Sequence, residues 1–243
     1  MNILAIGAHP DDVELGCGGL LLKAARNGHN VFIYTLTRGS ASGDPNERVL
    51  ELKNSANYIG VKTSWIDNFE DTKLSLNSDL INSIEFIINK SEADIVYTHS
   101  ISDTHHDHRA VAASTIESGR LIYNILSYEN PVTKNFQPQV YYDITDVIED
   151  KIELIKFFIS QKEKLFIQSN AVNGLAKYRA LQSRMNTSVT SVEAFEVVKL
   201  SFTKDFNLFE SLHSKKTVNN FKRITSKEII EYHPNEIKQS KLK

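Results

Sequence analysis

With one cysteine, Cys17, the chain cannot close an internal disulfide, so its fold does not depend on an oxidising compartment. Neither sign of charge prevails: 28 Lys and Arg face 30 Asp and Glu, a formal net charge of -2. That balance removes the basic excess by which a general nucleic-acid binder neutralises phosphates. No stretch approaches the roughly 18 apolar residues of a membrane span. The first apolar run has no basic segment before it and is broken by Asp11, Asp12 and Glu14 before it could serve as a signal peptide. There is no internal repeat and no low-complexity segment. A cytoplasmic protein without nucleic-acid or membrane partners is the expectation. What is present, 243 residues of which 41% are hydrophobic, suits one sizeable core and is short for two.

Apolar runs and punctuation alternate along the chain. Short apolar strands are expected at 2–7, 31–36, 63–66 and 95–97, and helices at 16–27, 47–59, 78–89 and 109–123. Gly28 and Gly60 stand where helix C-caps belong. Strand followed by helix at this spacing predicts an α/β fold, a Rossmann-like open and mostly parallel sheet with helices on both faces. With strand order 3-2-1-4-5, the first and fourth strands are neighbours where the order reverses, and ligands bind beyond their carboxyl ends. Further strands are expected at 125–128, 139–144 and 194–201, and helices at 146–160 and 172–185. From residue 203 onward Lys and Arg outnumber acids, so 203–243 reads as a basic C-terminal extension, either solvated and frayed or an arm for a partner or anionic ligand.

The chemistry-bearing residues sit at the ends of the first and fourth strands. Ala8-His9-Pro10-Asp11-Asp12 follows the first, and Asp103-Thr104-His105-His106-Asp107-His108 follows the fourth. His9 and Asp12 are three apart, as are His105 and His108, so each pair can share one side of a tight turn. Two His and one carboxylate on a single ion leave a position open, the pattern of a catalytic zinc site. The bland reading, His9 and the carboxylates merely favouring a helix N-terminus, suffices for either cluster alone but not for two that the topology brings together. Gly16-Cys17-Gly18-Gly19 is not a dinucleotide-binding turn, because Asp11, Asp12 and Glu14 occupy the place where a pyrophosphate would sit. Packing is the expected role of these glycines, and Cys17 reads as a small buried residue. Arg48 can hold a carboxylate, phosphate or sugar hydroxyl by its planar fork. His99 and His106 lie near the site in supporting or structural roles, while His29, His213 and His233 read as surface residues.

With these motifs, with Arg48-x-x-Glu51, Ser160-Gln161 and Glu193-Ala194-Phe195-Glu196, the chain resembles the PIG-L, or LmbE-like, zinc-dependent N-deacetylases of amino sugars. The resemblance covers about residues 2–202 and implies a deacetylase domain over 1–202, ahead of the 203–243 extension. It implies His9, Asp12 and His108 as metal ligands and Asp11 as general base. His105, as imidazolium, would assist the substrate carbonyl, Asp107 would orient His105, and Arg48 would contact substrate. One Zn2+ per chain is implied, with Fe2+ or Co2+ able to replace it. The expected partner is a small N-acetylated amino sugar, with a homo-oligomer left open. The alternatives are an amidase acting on thiol-conjugated or antibiotic glycosides and, in another class, an inactive sugar-binding or scaffold protein. His106 stands where the family commonly has proline, which makes it a competing ligand candidate.

Overall fold

The computed structural model describes residues 1–122, 124–201 and 229–234. Its centre is built from strands too apolar to face water on either side. In β1 (Asn2–Gly7) and β2 (Asn30–Thr37), Ile3, Ala5, Val31 and Ile33 pack on one face, while Leu4, Ile6, Phe32 and Tyr34 pack on the other. Such two-sided burial is what parallel strands flanked by helices require.

The first face is covered by α1 (Asp12–Arg26), α2 (Pro45–Ile59) and α5 (Ile148–Ile155). The second is covered by α3 (Ser78–Ser91) and α4 (His106–Ser118), through Leu80, Ile84, Ile87 and Val111. A third apolar cluster joins α5 to α6 (Ser169–Ser183). No helix among the described residues is long and apolar enough to cross a membrane.

The remaining strands are β3 (Thr63–Phe69), β4 (Ile95–His99), β5 (Asn124–Tyr128), β6 (Val140–Asp143), β7 (Val192–Leu200) and β8 (Ile230–Tyr232). The sheet order is β6-β7-β5-β4-β1-β2-β3-β8. Its five central strands are parallel in the order 3-2-1-4-5, the order under which the two motif loops become neighbours, and the pairings with β6, β7 and β8 are antiparallel. β1 therefore sits between β2 and β4, and the loops leaving β1 and β4 are adjacent.

The main differences from the sequence expectation are of three kinds: the start and break of the first helix, the early ends of the fourth and fifth helices, and the last segment of the chain. The first helix starts at Asp12, not residue 16, and is broken at Cys17 (φ -142, ψ 19). The break is sustained by Glu193, whose carboxylate accepts from Gly19 N at 2.7 Å and Leu20 N at 2.8 Å, and by Lys151 Nζ, 2.6 Å from Glu193 Oε1. The glycines there are packing residues: a Cβ at Gly16 would lie 2.1 Å from the ring of Tyr128, and one at Gly19 2.8 Å from Ile144. Second, the fourth helix stops at Ser118, where Gly119 must follow because a Cβ there would lie 2.4 Å from Ile125. The fifth helix ends at Ile155, followed by a short 3-10 turn at Ile159–Gln161.

Third, part of the segment read as a solvated extension belongs to the sheet. Ile230–Tyr232 pairs with Ser64, Trp65 and Ile66 at the β3 edge, and Lys90 Nζ meets Glu231 at 2.5 Å. His233 Nδ1 meets Thr63 Oγ1 at 3.1 Å. The basic stretch between, with His213, lies outside the described residues.

Candidate metal centre

The turn after β1 is forced by close packing. A Cβ at Gly7 would lie 3.1 Å from Val13 and 3.2 Å from Asp12, and Ala8 O is clamped by the backbone and side chain of Thr37, each at 2.9 Å. Asp12 Oδ2 closes the turn by accepting from His9 N at 2.7 Å. Between them Asp11 adopts φ 105, a left-handed conformation costly for a residue with a Cβ and characteristic of functional loops.

Two terminal nitrogens of buried Arg48 hold that conformation. Nη2 donates to Pro10 O at 2.5 Å and Asp11 Oδ2 at 3.1 Å; Nη1 donates to Gly39 O at 3.1 Å and Ser42 Oγ at 2.5 Å. All four terminal N–H groups thus have protein partners, although the sequence expectation is that Arg48 faces substrate.

The β4 loop brings His108 against the β1 loop. His108 Nε2 lies 3.2 Å from Asp12 Oδ1 and 3.3 Å from His9 Nδ1, and His9 Nδ1 lies 3.3 Å from Asp12 Oδ2. A single tetrahedral ion with bonds of about 2.0–2.1 Å separates its donors by about 3.3–3.4 Å; the His9–His108 separation matches that spacing, while Asp12 meets the two imidazoles through its two different oxygens. Among the described residues, the groups whose donor atoms lie close enough together for an ion are His9 with His105 and His108, Asp12 with His99 and His108, and His9 with Asp71 and Asp107. His9, Asp12 and His108 are no more than 9% exposed, so an ion there would be shielded from bulk water. His105 is near the same point, its ring centroid 4.9 Å from that of His9 and 4.6 Å from that of His108.

Each donor is oriented from behind. His9 Nε2 faces Asp71 Oδ1 at 3.0 Å and Asp107 Oδ2 at 3.1 Å, which leaves Nδ1 for the ion. His108 Nδ1 faces Asp103 Oδ2 at 3.1 Å. Asp12 also receives Asn130 Nδ2 at 3.3 Å, and His99 Nε2 lies 3.2 Å from its other oxygen. His99 accepts the Ala8 N–H at 3.0 Å and stacks on His108 with centroids 3.9 Å apart. That nitrogen's lone pair is committed in this arrangement, although Asp12, His99 and His108 together also form a group that could hold an ion.

Asp107 does not serve His105 as the resemblance implies. Its carboxylate accepts from Thr72 N at 2.8 Å and Leu74 N at 2.9 Å and faces His9, while its backbone N–H reaches His105 Nδ1 at 3.2 Å. The reason is local: His105 is the N-cap of α4, and a capping side chain returns to the N–H two residues on. His106 Nε2 donates to Thr72 O at 2.6 Å, ties down the 70–74 loop, and is absent from the three converging donors.

The titration behaviour follows from this packing. Burial pushes Asp11 up to about 6, with the Arg48 guanidinium opposing it and the Asp12 charge adding to it. Burial alone would raise Asp12, but His108 and His99 hold it well below the usual carboxylate range. Burial opposes charge on His108, yet Asp12 and Asp103 lift it to about 9; Asp107, Asp12 and Asp71 likewise lift His9 against its burial. Burial, then the charges of His108 and His9, lower His105. His99 is pushed down to about 4 by burial and then His108. His9 and His108 thus hold protons where a cation would sit. Burial also raises the Cys17 thiol well above its ordinary value, which makes it inert.

Asp71 and Asn130 escaped the sequence reading, and Asp103 entered it without a role. The available signal was position: Asp71 follows β3 and Asn130 follows β5, at the same carboxyl edge as the two motifs.

The chain is similar to known proteins in sequence and in fold. The family model described as PIG-L: GlcNAc-PI de-N-acetylase matches residues 4–118. YaiS of Escherichia coli (strain K12), described as an uncharacterized deacetylase, is 38% identical over 153 residues that cover 60% of this chain and 83% of that protein. Diacetylchitobiose deacetylase of Thermococcus kodakarensis is 28% identical over 186 residues, 66% of this chain and 70% of that one. Among solved structures, the conserved protein TT1542 from Thermus thermophilus matches with a TM-score of 0.75 at 22% identity, over 85% of this chain and 98% of that one, a likeness of fold.

Proposed function

Because the chain belongs to the PIG-L family and is thus a deacetylase, a hydrolase of amide bonds, we propose that it removes the N-acetyl group from an N-acetylglucosamine-type amino sugar or its conjugate, with one zinc ion held by His9, Asp12 and His108. The observation that carries the proposal is the approach of His9 Nδ1 and His108 Nε2 to within 3.3 Å of each other, each beside one oxygen of Asp12, with the strained, buried carboxyl of Asp11 in the same turn. The names of the family model and of the Thermococcus kodakarensis relative support an acetylated amino sugar as substrate.

A divalent ion bound there supplies acidification of water toward neutral pH and Lewis-acid polarisation of the amide carbonyl. The chain's own groups do the rest. Asp11, with a pKa of about 6, accepts a proton from the attacking water and returns it to the departing nitrogen; near neutral pH a base of that strength transfers in both directions. His105 Nδ1 accepts from Asp107 N, so the neutral ring carries its proton on Nε2 and donates it to the oxyanion formed from the carbonyl. The lowered pKa of His105 favours this neutral donor over the imidazolium that the sequence suggests. Arg48 keeps Asp11 in its turn. Acetate and a free sugar amine leave.

The test is release of acetate and amine from a panel of N-acetylglucosaminyl compounds by zinc-loaded protein, with Asp11→Asn and Asp12→Asn beside the wild type. Asp12→Asn is expected to lose metal; Asp11→Asn keeps it and loses on the order of 10²- to 10⁴-fold in turnover. No release from any compound overturns the substrate class, and metal lost from Asp11→Asn but kept by Asp12→Asn reverses the two roles.

A further inference from the structure

Two motifs of the sequence, Arg48-x-x-Glu51 and Ser160-Gln161, meet in one buried strut, and the chemistry above uses only Arg48 of these four residues. Glu51, 5% exposed and three residues along α2 from Arg48, spends both oxygens on Ser160: Oε1 accepts Ser160 N and Oε2 accepts Ser160 Oγ, each at 2.7 Å. Gln161, 1% exposed, donates Nε2 to Ser160 Oγ at 2.9 Å and to Ser42 O at 3.1 Å, while its Oε1 accepts Ser42 Oγ at 3.4 Å. Ser42 Oγ is also the atom that Arg48 Nη1 reaches at 2.5 Å, and Arg48 Nη2 reaches Asp11. The loop between β2 and α2 is shaped to that guanidinium, because Gly39 has φ 67 and a Cβ there would lie 2.3 Å from Arg48 Nη1. The same loop donates Ala41 N to Asp71 Oδ2 at 2.7 Å, and Asp71 faces His9.

We propose that Gln161, oriented by Glu51 through Ser160, is a positioning residue that turns the Ser42 lone pairs toward Arg48 and so seats the guanidinium that holds Asp11. The inference rests on the N-acetyl-sugar reading above, in which Asp11 acts on the attacking water. The strut has a direction. Both Glu51 oxygens accept, so the Ser160 hydroxyl proton is spent on Glu51 and a lone pair is what Gln161 meets. That sets the amide, with its N–H groups toward Ser160 and the Ser42 carbonyl and its oxygen toward the Ser42 hydroxyl. Turned by half a rotation, it would set an oxygen against the Ser42 carbonyl and against a hydroxyl with no proton left to give. The Ser42 proton then goes to Gln161, which leaves the Ser42 lone pairs for Arg48.

Gln161→Met keeps the length of the side chain and removes its three bonds. On an N-acetylglucosaminyl compound, kcat of zinc-loaded protein is expected to fall about 10- to 100-fold, the cost of a displaced catalytic group, with KM and zinc content at wild-type values. In an Arg48→Ala background the same change should cost nothing further, because its route runs through Arg48, whereas a general loosening of the fold adds its own loss. A second readout needs no activity. In 15N-edited NMR the Arg48 Nη resonances, assigned by their absence from Arg48→Ala, should be separate in wild type, where bonds at both nitrogens stop rotation of the guanidinium, and should merge in Gln161→Met. Ser160→Ala, which keeps the backbone bond to Glu51 and deletes the hydroxyl, should move both readouts the same way, and Ser160→Thr should restore them. Undiminished kcat in Gln161→Met, resonances that stay separate there, or a loss that adds in full to that of Arg48→Ala overturns the inference. If Gln161→Met does not fold, Ser160→Ala decides, and wild-type kcat or separate resonances in it overturn the proposal. Wild-type protein that releases no acetate from any compound refutes the N-acetyl-sugar reading instead, and the Arg48 resonances then decide the strut by themselves.

Discussion

Glu14, in the first turn of α1, has no exposure at all, and is bonded through Oε1 to Ser55 Oγ with Oε2 unpartnered. Burial pushes its pKa from an ordinary 4.5 to about 7; Ser55 opposes the shift and Asp11 and Asp12 add to it. Between pH 4.5 and 7 the native protein therefore keeps a proton that the unfolded chain has released, so stability falls as pH rises through that window. At about 1.36 kcal/mol per pH unit, the fall attributable to Glu14 is about 3 kcal/mol. Glu14→Gln removes the titration but leaves an amide N–H to be satisfied in a buried place, at a cost of about 1 kcal/mol. The variant is expected to be about 1 kcal/mol less stable than wild type at about pH 4.5 and about 2 kcal/mol more stable at about pH 8. The assay is urea unfolding of chelator-treated protein followed by circular dichroism across that range, without metal because a cation would itself alter the local charge. Stability curves that run parallel, with no crossing, refute the assignment of a buried proton to Glu14.

Two further outcomes follow from the same electrostatics. His108 must shed the proton it holds up to about 9 before its nitrogen can bind a cation, so zinc affinity should rise by about tenfold per pH unit between about pH 6 and 8, and faster if His9 releases its proton in the same step; an affinity independent of pH in calorimetric titration contradicts the protonated cluster. Arg48→Ala removes the cation that opposes the raised pKa of Asp11, so the acidic limb of turnover against pH should move upward from about 6 while metal content is unchanged. A rise in KM with that limb in place would instead return Arg48 to direct contact with substrate.

What was legible in the sequence was whatever repeats or sits contiguously. The central strands are continuous apolar runs because both faces are covered, so β1, β2 and β4 announce themselves; their parallel pairing follows from the crossover helices, whereas their order is set only by the folded sheet. The two motifs are legible for the same reason, since His9, Asp11 and Asp12 share one turn and Asp103, His105, Asp107 and His108 another. The broken first helix was not, because its cause is Glu193, far along the chain, supplying two acceptors for the N–H groups of Gly19 and Leu20. Nor was β8, whose three residues pair at an edge after a long basic stretch that by itself reads as solvated.

The supporting groups of the metal centre show why a motif search stops short of a site. His9 takes Asp71 from the loop after β3, Asp12 takes Asn130 from the loop after β5, and Arg48 ties the β1 turn to Gly39 after β2. Each contributes a single residue with no local pattern, so no spacing rule can find it. They become visible only when every central strand is followed past its carboxyl end, because parallel strands of one sheet deliver all five following loops to the same edge. A reading that lists the polar residues within a few positions of each strand end would have offered Asp71 and Asn130 as candidates beside His9 and His108. Side-chain chemistry then sorts them: carboxylates and amides that face a ligand's far side orient it, and only the groups that face one another can share an ion.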